Sequence, residues 1–176
     1  MQILETERLT LRSITEDDAA LILELMNDPA FIEYVADRGL RTPADAGRYI
    51  AEKMLPGFKQ NGFGMCVVEL KESRKAIGTC GLFKRQLVDD AEIGFAFLRE
   101  FWGQGFAYEA AAAIMRYGCD ELKLPRIVAA TNPNNATSIK LLEKLGLRIE
   151  RVIFDAASNS EMKLFNWTRS TTGDTP

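Results

Sequence analysis

Histidine is absent from all 176 positions. That absence excludes every His-based catalytic triad and every His metal ligand, and no metal is expected. Cysteine is scarce: Cys66, Cys80 and Cys119 lie at spacings that match no zinc or thioredoxin pattern. Each sits among apolar neighbours, as small buried side chains do in a reducing compartment. No stretch approaches the ~20 apolar residues of a membrane helix. Glu5 and Glu7 stand where a signal peptide needs apolar residues, so the expected location is cytoplasmic. No run of Lys or Arg marks a nucleic-acid stripe. Repeats and low-complexity linkers are missing too; only residues 170–176, rich in Thr, Gly and Asp, read as a disordered tail.

What remains is ordinary globular composition, 47% hydrophobic and 27% charged with a net charge of −3. The length suits one domain, over residues 1–169. The mildly acidic balance favours a cationic partner.

Leu9-Thr10-Leu11-Arg12 alternates as a strand does. Thr15 caps a helix with acids in its first turn, expected to run to about Asn27 and stop before Pro29. Thr42 caps a second helix with Pro43 in its first position, expected to end at Pro56-Gly57. Three strands follow, near 64–70, 75–83 and 89–98, with connections short enough for an antiparallel meander. A helix is expected over 108–121, a strand over 126–131, and a helix over 135–144 closed by Gly146. Two final strands fit 147–154 and 162–168. The pattern is mixed α/β. If the last strand lay at a sheet edge near 164–167 it would suit a homodimer; a monomer is equally compatible.

The chemistry concentrates at Trp102-Gly103-Gln104-Gly105-Phe106-Ala107, a loop between a strand and a helix. Glycines here let the backbone approach a ligand, and the helix start adds a partial charge of roughly +0.5, which suits a pyrophosphate. A dinucleotide fingerprint would need Gly or Ala where Tyr108 stands, and no Gly-Lys-Ser/Thr triplet offers a P-loop.

The loop resembles the acetyl-CoA loop of the GNAT superfamily, Gln/Arg-x-x-Gly-x-Gly/Ala, with Gly105 and Ala107 in the last two places and Trp102 in the first. The run Trp-Gly-Gln-Gly-Phe-Ala-Tyr-Glu-Ala is similar to that of the RimJ/RimL-like ribosomal-protein alanine N-acetyltransferases, with Tyr108 replacing the usual Thr. Three further segments carry the resemblance in the same order: Glu5-Thr6-Glu7-Arg8-Leu9-Thr10-Leu11-Arg12, Ile77-Gly78-Thr79-Cys80-Gly81-Leu82, and Asn135-Ala136-Thr137-Ser138 followed by Glu143-Lys144-Leu145-Gly146-Leu147. It implies the GNAT fold: a mixed, mostly antiparallel sheet flanked by helices, with two strands splayed at the acetyl-CoA site. It also implies that residues 102–107 hold the cofactor phosphates. Backbone groups near Phe97 and Leu98 would hold the pantetheine arm or the acetyl oxygen, and Asn135 would contact the pantetheine.

Acetyl transfer to an amine needs a neutral nucleophile, a polarised thioester carbonyl and a proton for the departing thiolate. On the strand before the loop, Glu92, Gly94 and Ala96 share one face, leaving room beside a carboxylate, while Ile93, Phe95 and Phe97 face the core. Glu92 is therefore the candidate base, against a plain salt-bridged strand Glu. Ser138 is a candidate for the cofactor or for reprotonating sulfur, against an ordinary first-turn helix Ser; Asn135 equally suits an N-cap. Two residues common in the family are missing: Leu142 replaces a Tyr acid seven residues after Asn135, and Ala130 replaces a Glu base five residues before it. Weak proton handling favours an acceptor of low pKa. A terminal α-amine, at about 7.7–8.0, is roughly a tenth neutral at pH 7, against about one lysine in a few thousand. The first expectation is thus an N-acetyltransferase acting on a protein N-terminus, with ribosomal proteins among the candidates. The alternatives are a small-amine acetyltransferase (polyamine, amino sugar or antibiotic) and a coenzyme A-binding module with decayed catalysis.

Overall fold

The computed structural model describes residues 4–85, 88–156 and 159–169; the tail expected at 170–176 lies outside them. Eight strands form one sheet in the order β1-β2-β3-β4-β5-β6-β8-β7. They are β1 (Leu4–Glu5), β2 (Leu9–Ser13), β3 (Met65–Leu70), β4 (Ala76–Arg85), β5 (Val88–Phe97), β6 (Arg126–Thr131), β7 (Arg148–Asp155) and β8 (Ser160–Thr168). β2 through β5 are the expected antiparallel meander. β5 and β6 are parallel, as a helical crossover between them requires.

The helices are α1 (Ala19–Asn27), α2 (Pro29–Tyr34), α3 (Pro43–Tyr49), α4 (Leu55–Asn61), α5 (Phe106–Arg116) and α6 (Ala136–Lys144). Thr15 caps a 3-10 turn, Glu16–Asp18, that leads straight into α1: its N–H donates to the Asp18 carboxylate at 2.8 Å. Thr42 accepts from the Asp45 N–H and opens α3, with Pro43 in the first turn. The first helix stops at Asn27, before Pro29, as expected; Pro29 then starts α2, where Asp28 accepts from the Ala30 N–H.

Two expectations are corrected. The second helix does not end at Pro56-Gly57. A π-helical turn over Ile50–Met54 hands the chain to α4, and it takes up the gap that the missing N–H of Pro56, in the first turn of α4, leaves in the helix. The stop comes at Gly62, left-handed at φ 77°. Nor is the strand containing 164–167 an edge, because β8 lies between β6 and β7. The open edge is β7, with Ile149, Val152 and Phe154 exposed.

The larger core cluster packs α5 and α6 on the sheet through Ile93, Phe97, Ile114, Ile127, Leu142 and Phe165; a smaller one packs α1 and α3 around Ile22, Ile50 and Val67. Among the described residues no helix is long and apolar enough to cross a membrane.

Candidate active site at the splayed strands

β5 and β6 pair only at Ala91–Ile127 and Glu92–Val128. Beyond Glu92 they diverge, so a gap opens toward the carboxyl ends of both strands. The Leu98 N–H donates to Ile77 O at 3.0 Å, which fixes the parity of the β4–β5 ladder. Leu98 is therefore engaged with β4, while Phe97 turns its backbone away from β4 toward the gap. Of the two backbone groups expected to serve a ligand, only that of Phe97 faces the gap.

The loop from β5 to α5 is held from several sides. The Trp102 indole N–H donates to Phe97 O at 2.7 Å, and the Arg99 guanidinium lies 5.3 Å from the Trp102 ring centroid. Arg99 also donates to Asp28 at the start of α2, at 2.5 Å. The Gln104 side chain donates to Glu100 O at 2.7 Å, a local bond that leaves its backbone to shape the turn. Gly103 and Gly105 have φ of 72° and 83°, left-handed values that favour glycine. Gly105 caps α5 without a side-chain hydrogen bond, so the first-turn N–H groups of Phe106, Ala107 and Tyr108 remain for an anion. The Phe106 ring is buried in the core beneath them.

The N-terminal segment locks this loop in place. Glu109, in the first turn of α5, accepts from the Thr6 hydroxyl at 2.5 Å and from the Arg8 N–H at 2.8 Å on one oxygen. Its other oxygen accepts from Arg8 Nε at 2.7 Å, and Arg8 Nη1 donates to Gln104 O at 3.1 Å. Burial opposes the charge of Glu109, yet the bonds from Thr6 and Arg8 outweigh it and hold the carboxyl below its usual range. A lowered pKa means stability present above the unfolded value and lost as pH falls through the folded one. Glu109→Ala is expected to cost about 1–3 kcal/mol, the lower end reflecting the solvent exposure of Arg8. Thermal melts at pH 7 and pH 3 would check it, since the deficit should shrink at pH 3.

On the opposite face of β5 stands Glu92, 1% exposed. Its Oε1 accepts from Arg85 Nη2 at 2.7 Å and from the Ala130 N–H at 3.4 Å. Its Oε2 is buried with no partner among the described residues. Ala130 is the position where a family Glu is missing, so a carboxylate from the neighbouring strand reaches that same place. Burial pushes the Glu92 carboxyl above the usual range, partly countered by the charge of Arg85. Arg85 also reaches Asp155 at 3.5 Å. Asp155 lies opposite Ser160 in the β7–β8 ladder. Ser160 in turn lines a pocket of about 360 Å³ with Asn132 and residues of α2 and its exit, including Tyr34 and Asp37. Arg41 holds the Asp37 carboxyl down at about 2.

Asn135 caps α6 by accepting from the Ser138 N–H at 3.1 Å. The Ser138 side chain is half-buried, and no hydrogen bond joins it to Glu92 among the described residues. Leu142 is a core residue, 1% exposed. Sequence reasoning left Arg85, Asp155 and Glu109 without roles: Arg85 meets Glu92 across the β4–β5 hairpin, Asp155 and Glu109 meet partners remote in the chain, and the local signal was the acid in the first turn of α5.

The family described as "Acetyltransferase (GNAT) domain" matches residues 8–148. The uncharacterized N-acetyltransferase p20 of Bacillus licheniformis is 36% identical over 162 residues, 88% of this chain and 87% of that protein. Among solved structures, RimL, a ribosomal L7/L12 α-N-protein acetyltransferase in complex with coenzyme A, superposes with a TM-score of 0.79 at 15% identity, covering 95% of this chain and 98% of that one. The spermidine N-acetyltransferase SpeG of Vibrio cholerae, solved as a point mutant, gives 0.71 at 20% identity over 93% and 95%. At such identities the likeness to solved structures is one of fold, and it spans enzymes with protein and with polyamine acceptors alike.

Proposed function

The chain belongs to the GNAT acetyltransferase family and is an acetyl-CoA-dependent acetyltransferase; from that premise we propose that its acceptor is the α-amine of a protein or peptide N-terminus, a ribosomal protein among the candidates. The observation that carries this reading is the proton machinery. Leu142 fills the core where a Tyr acid would stand, and Glu92, a carboxylate at the splay, is tied to Arg85. A base so engaged suits an amine already partly neutral at pH 7, as an α-amine is and a lysine side chain is not.

The residues fit the cofactor. Gly103, Gly105 and the uncapped first turn of α5 would hold the diphosphate, and the Phe97 backbone would meet the pantetheine or acetyl oxygen. When bound, acetyl-CoA supplies an activated acyl group as a thioester. Glu92, with its unpartnered Oε2, takes the proton as the acceptor nitrogen attacks in a ternary complex. Ser138, on the first turn of α6, is the candidate proton donor to the leaving sulfur. Residues 1–169 serve as one unit, and the buried thiols of Cys66, Cys80 and Cys119 agree with a cytoplasmic setting.

A second reading has its own support: Glu33 and Asp37 line the pocket, and carboxylates there would favour a polyamine. Thiol release from acetyl-CoA, measured against peptides of varied N-terminus, spermidine and amino sugars, separates the two. We expect peptide α-amines to exceed lysine side chains and small amines in kcat/KM. Efficient lysine acetylation with free N-termini ignored would overturn the proposal. Coenzyme A binding without turnover on any amine would point instead to a binding module.

A further inference from the structure

Two cations flank the start of α5, and each rests on an aromatic ring of its first turn. The Arg8 guanidinium carbon lies 4.3 Å from the Phe106 ring centroid, and Lys144 Nζ lies 4.1 Å from that of Tyr108. Residues two apart on a helix point about 200° apart, so the two charges sit on opposite sides of the same helix end. Ion pairing with Glu109 accounts for the place of Arg8 but not for that of Lys144. Lys144 has no salt bridge among the described residues. Arg8 is paired through Nε, but its Nη2 lies 3.4 Å from where a Cβ on Gly105 would stand, beside the cap. Arg8 is balanced by Glu109 of the same turn, so Lys144 is the cation that adds positive charge to this helix start.

We propose that Lys144 and Arg8 form a phosphate clamp for coenzyme A, with Tyr108 as the platform that aims Lys144. The proposal rests on the diphosphate sitting at the first turn of α5. Coenzyme A carries that diphosphate and a 3′-phosphate, more negative charge than three backbone N–H groups and a helix end would balance. Cations on both sides of the turn add Coulomb attraction at short range, where salt screens it only partly. Tyr108 then has a purpose that the family's Thr would not serve. A threonine hydroxyl bonds a phosphate directly, whereas the Tyr108 ring holds a lysine whose reach is longer.

The test is calorimetric binding of coenzyme A and of 3′-dephospho-coenzyme A, at low salt and at 0.5 M. Lys144→Met keeps the aliphatic stem and removes the charge. It is expected to raise the Kd for coenzyme A about three- to tenfold at low salt, less at high salt, with Lys144→Arg restoring it. A loss confined to coenzyme A assigns Lys144 to the 3′-phosphate. An equal loss for both ligands assigns it to the diphosphate. Unchanged affinity for both would overturn the proposal, as would a loss that Lys144→Arg does not repair. Arg8→Gln is expected to add to the Lys144→Met defect. Gly103→Asp checks the underlying placement, because open space surrounds Gly103 and Asp tolerates its left-handed φ. If that added carboxylate left coenzyme A binding intact, the loop assignment itself would fail, and the clamp with it. Loss with Gly103→Asp but none with Lys144→Met would remove the clamp alone.

Discussion

Glu92→Gln is expected to lower kcat about 10²–10⁴-fold while leaving the protein as stable as before or more so. The two effects separate because of where the carboxylate sits. At 1% exposure, with burial as the main influence on its pKa and Arg85 as the partial counterweight, Glu92 favours its protonated form more than a free side chain does. A raised carboxyl pKa contributes stability below the unfolded value, and that contribution is lost as pH rises through the folded value. Ionised Glu92 is therefore a burden on the fold at neutral pH. Gln carries no charge at any pH and can still accept the Ala130 N–H. Arg85 keeps Asp155. The melting temperature of the variant should match the native protein in acid and equal or exceed it at pH 7–8. Its activity defect should narrow toward pH 9, where hydroxide can take the proton that Glu92 takes from the attacking nitrogen. Rates unchanged across pH 6–9 would remove Glu92 from the chemistry.

Gly81→Ala is expected to cost about 3 kcal/mol or more, although it adds one methyl group. A Cβ at Gly81 would fall inside van der Waals contact of Gly64 O and 2.7 Å from Met65 Cα. Both belong to backbone, which has no rotamer to change. For a chain of this size the melting temperature should drop by about 10 °C. Gly103→Ala is the contrast: its surroundings are open, so only the left-handed φ of 72° is penalised, at about 1–2 kcal/mol. A drop for Gly81→Ala no larger than for Gly103→Ala would contradict the close packing of β3 on β4.

These contrasts bear on what the sequence made readable. Gly81 belongs to the Ile77–Leu82 run that matched the family, but spacing alone gives no cause; the contact with β3 does. Gly146 was readable because a left-handed cap is a local requirement, met within a few residues. The meander was readable because its turns are short. Pro56 misled because proline ends a helix from within yet fits a first turn, and the π-helical turn before it left no trace in composition. The place of β8 inside the sheet depends on β7 returning outside it, a choice made over long range. Glu92 was found by alternation along β5. Arg85, Asp155 and the Ala130 N–H that surround it arrive from three other strands, and pairing across strands is invisible to periodicity. Part of the surroundings of Glu92 was hidden for the same reason that the Glu109 latch was.

That latch joins Thr6 to Glu109 across 103 positions. Closing so long a loop is entropically costly, whereas the β3–β5 meander closes over short turns. During synthesis the first residues must also wait for α5 to emerge. The meander is thus expected to form first, with the N-terminal segment docking on α5 afterwards. The loop proposed to hold the acetyl donor would reach its final shape only at that late step, so competence to bind would report on completed folding.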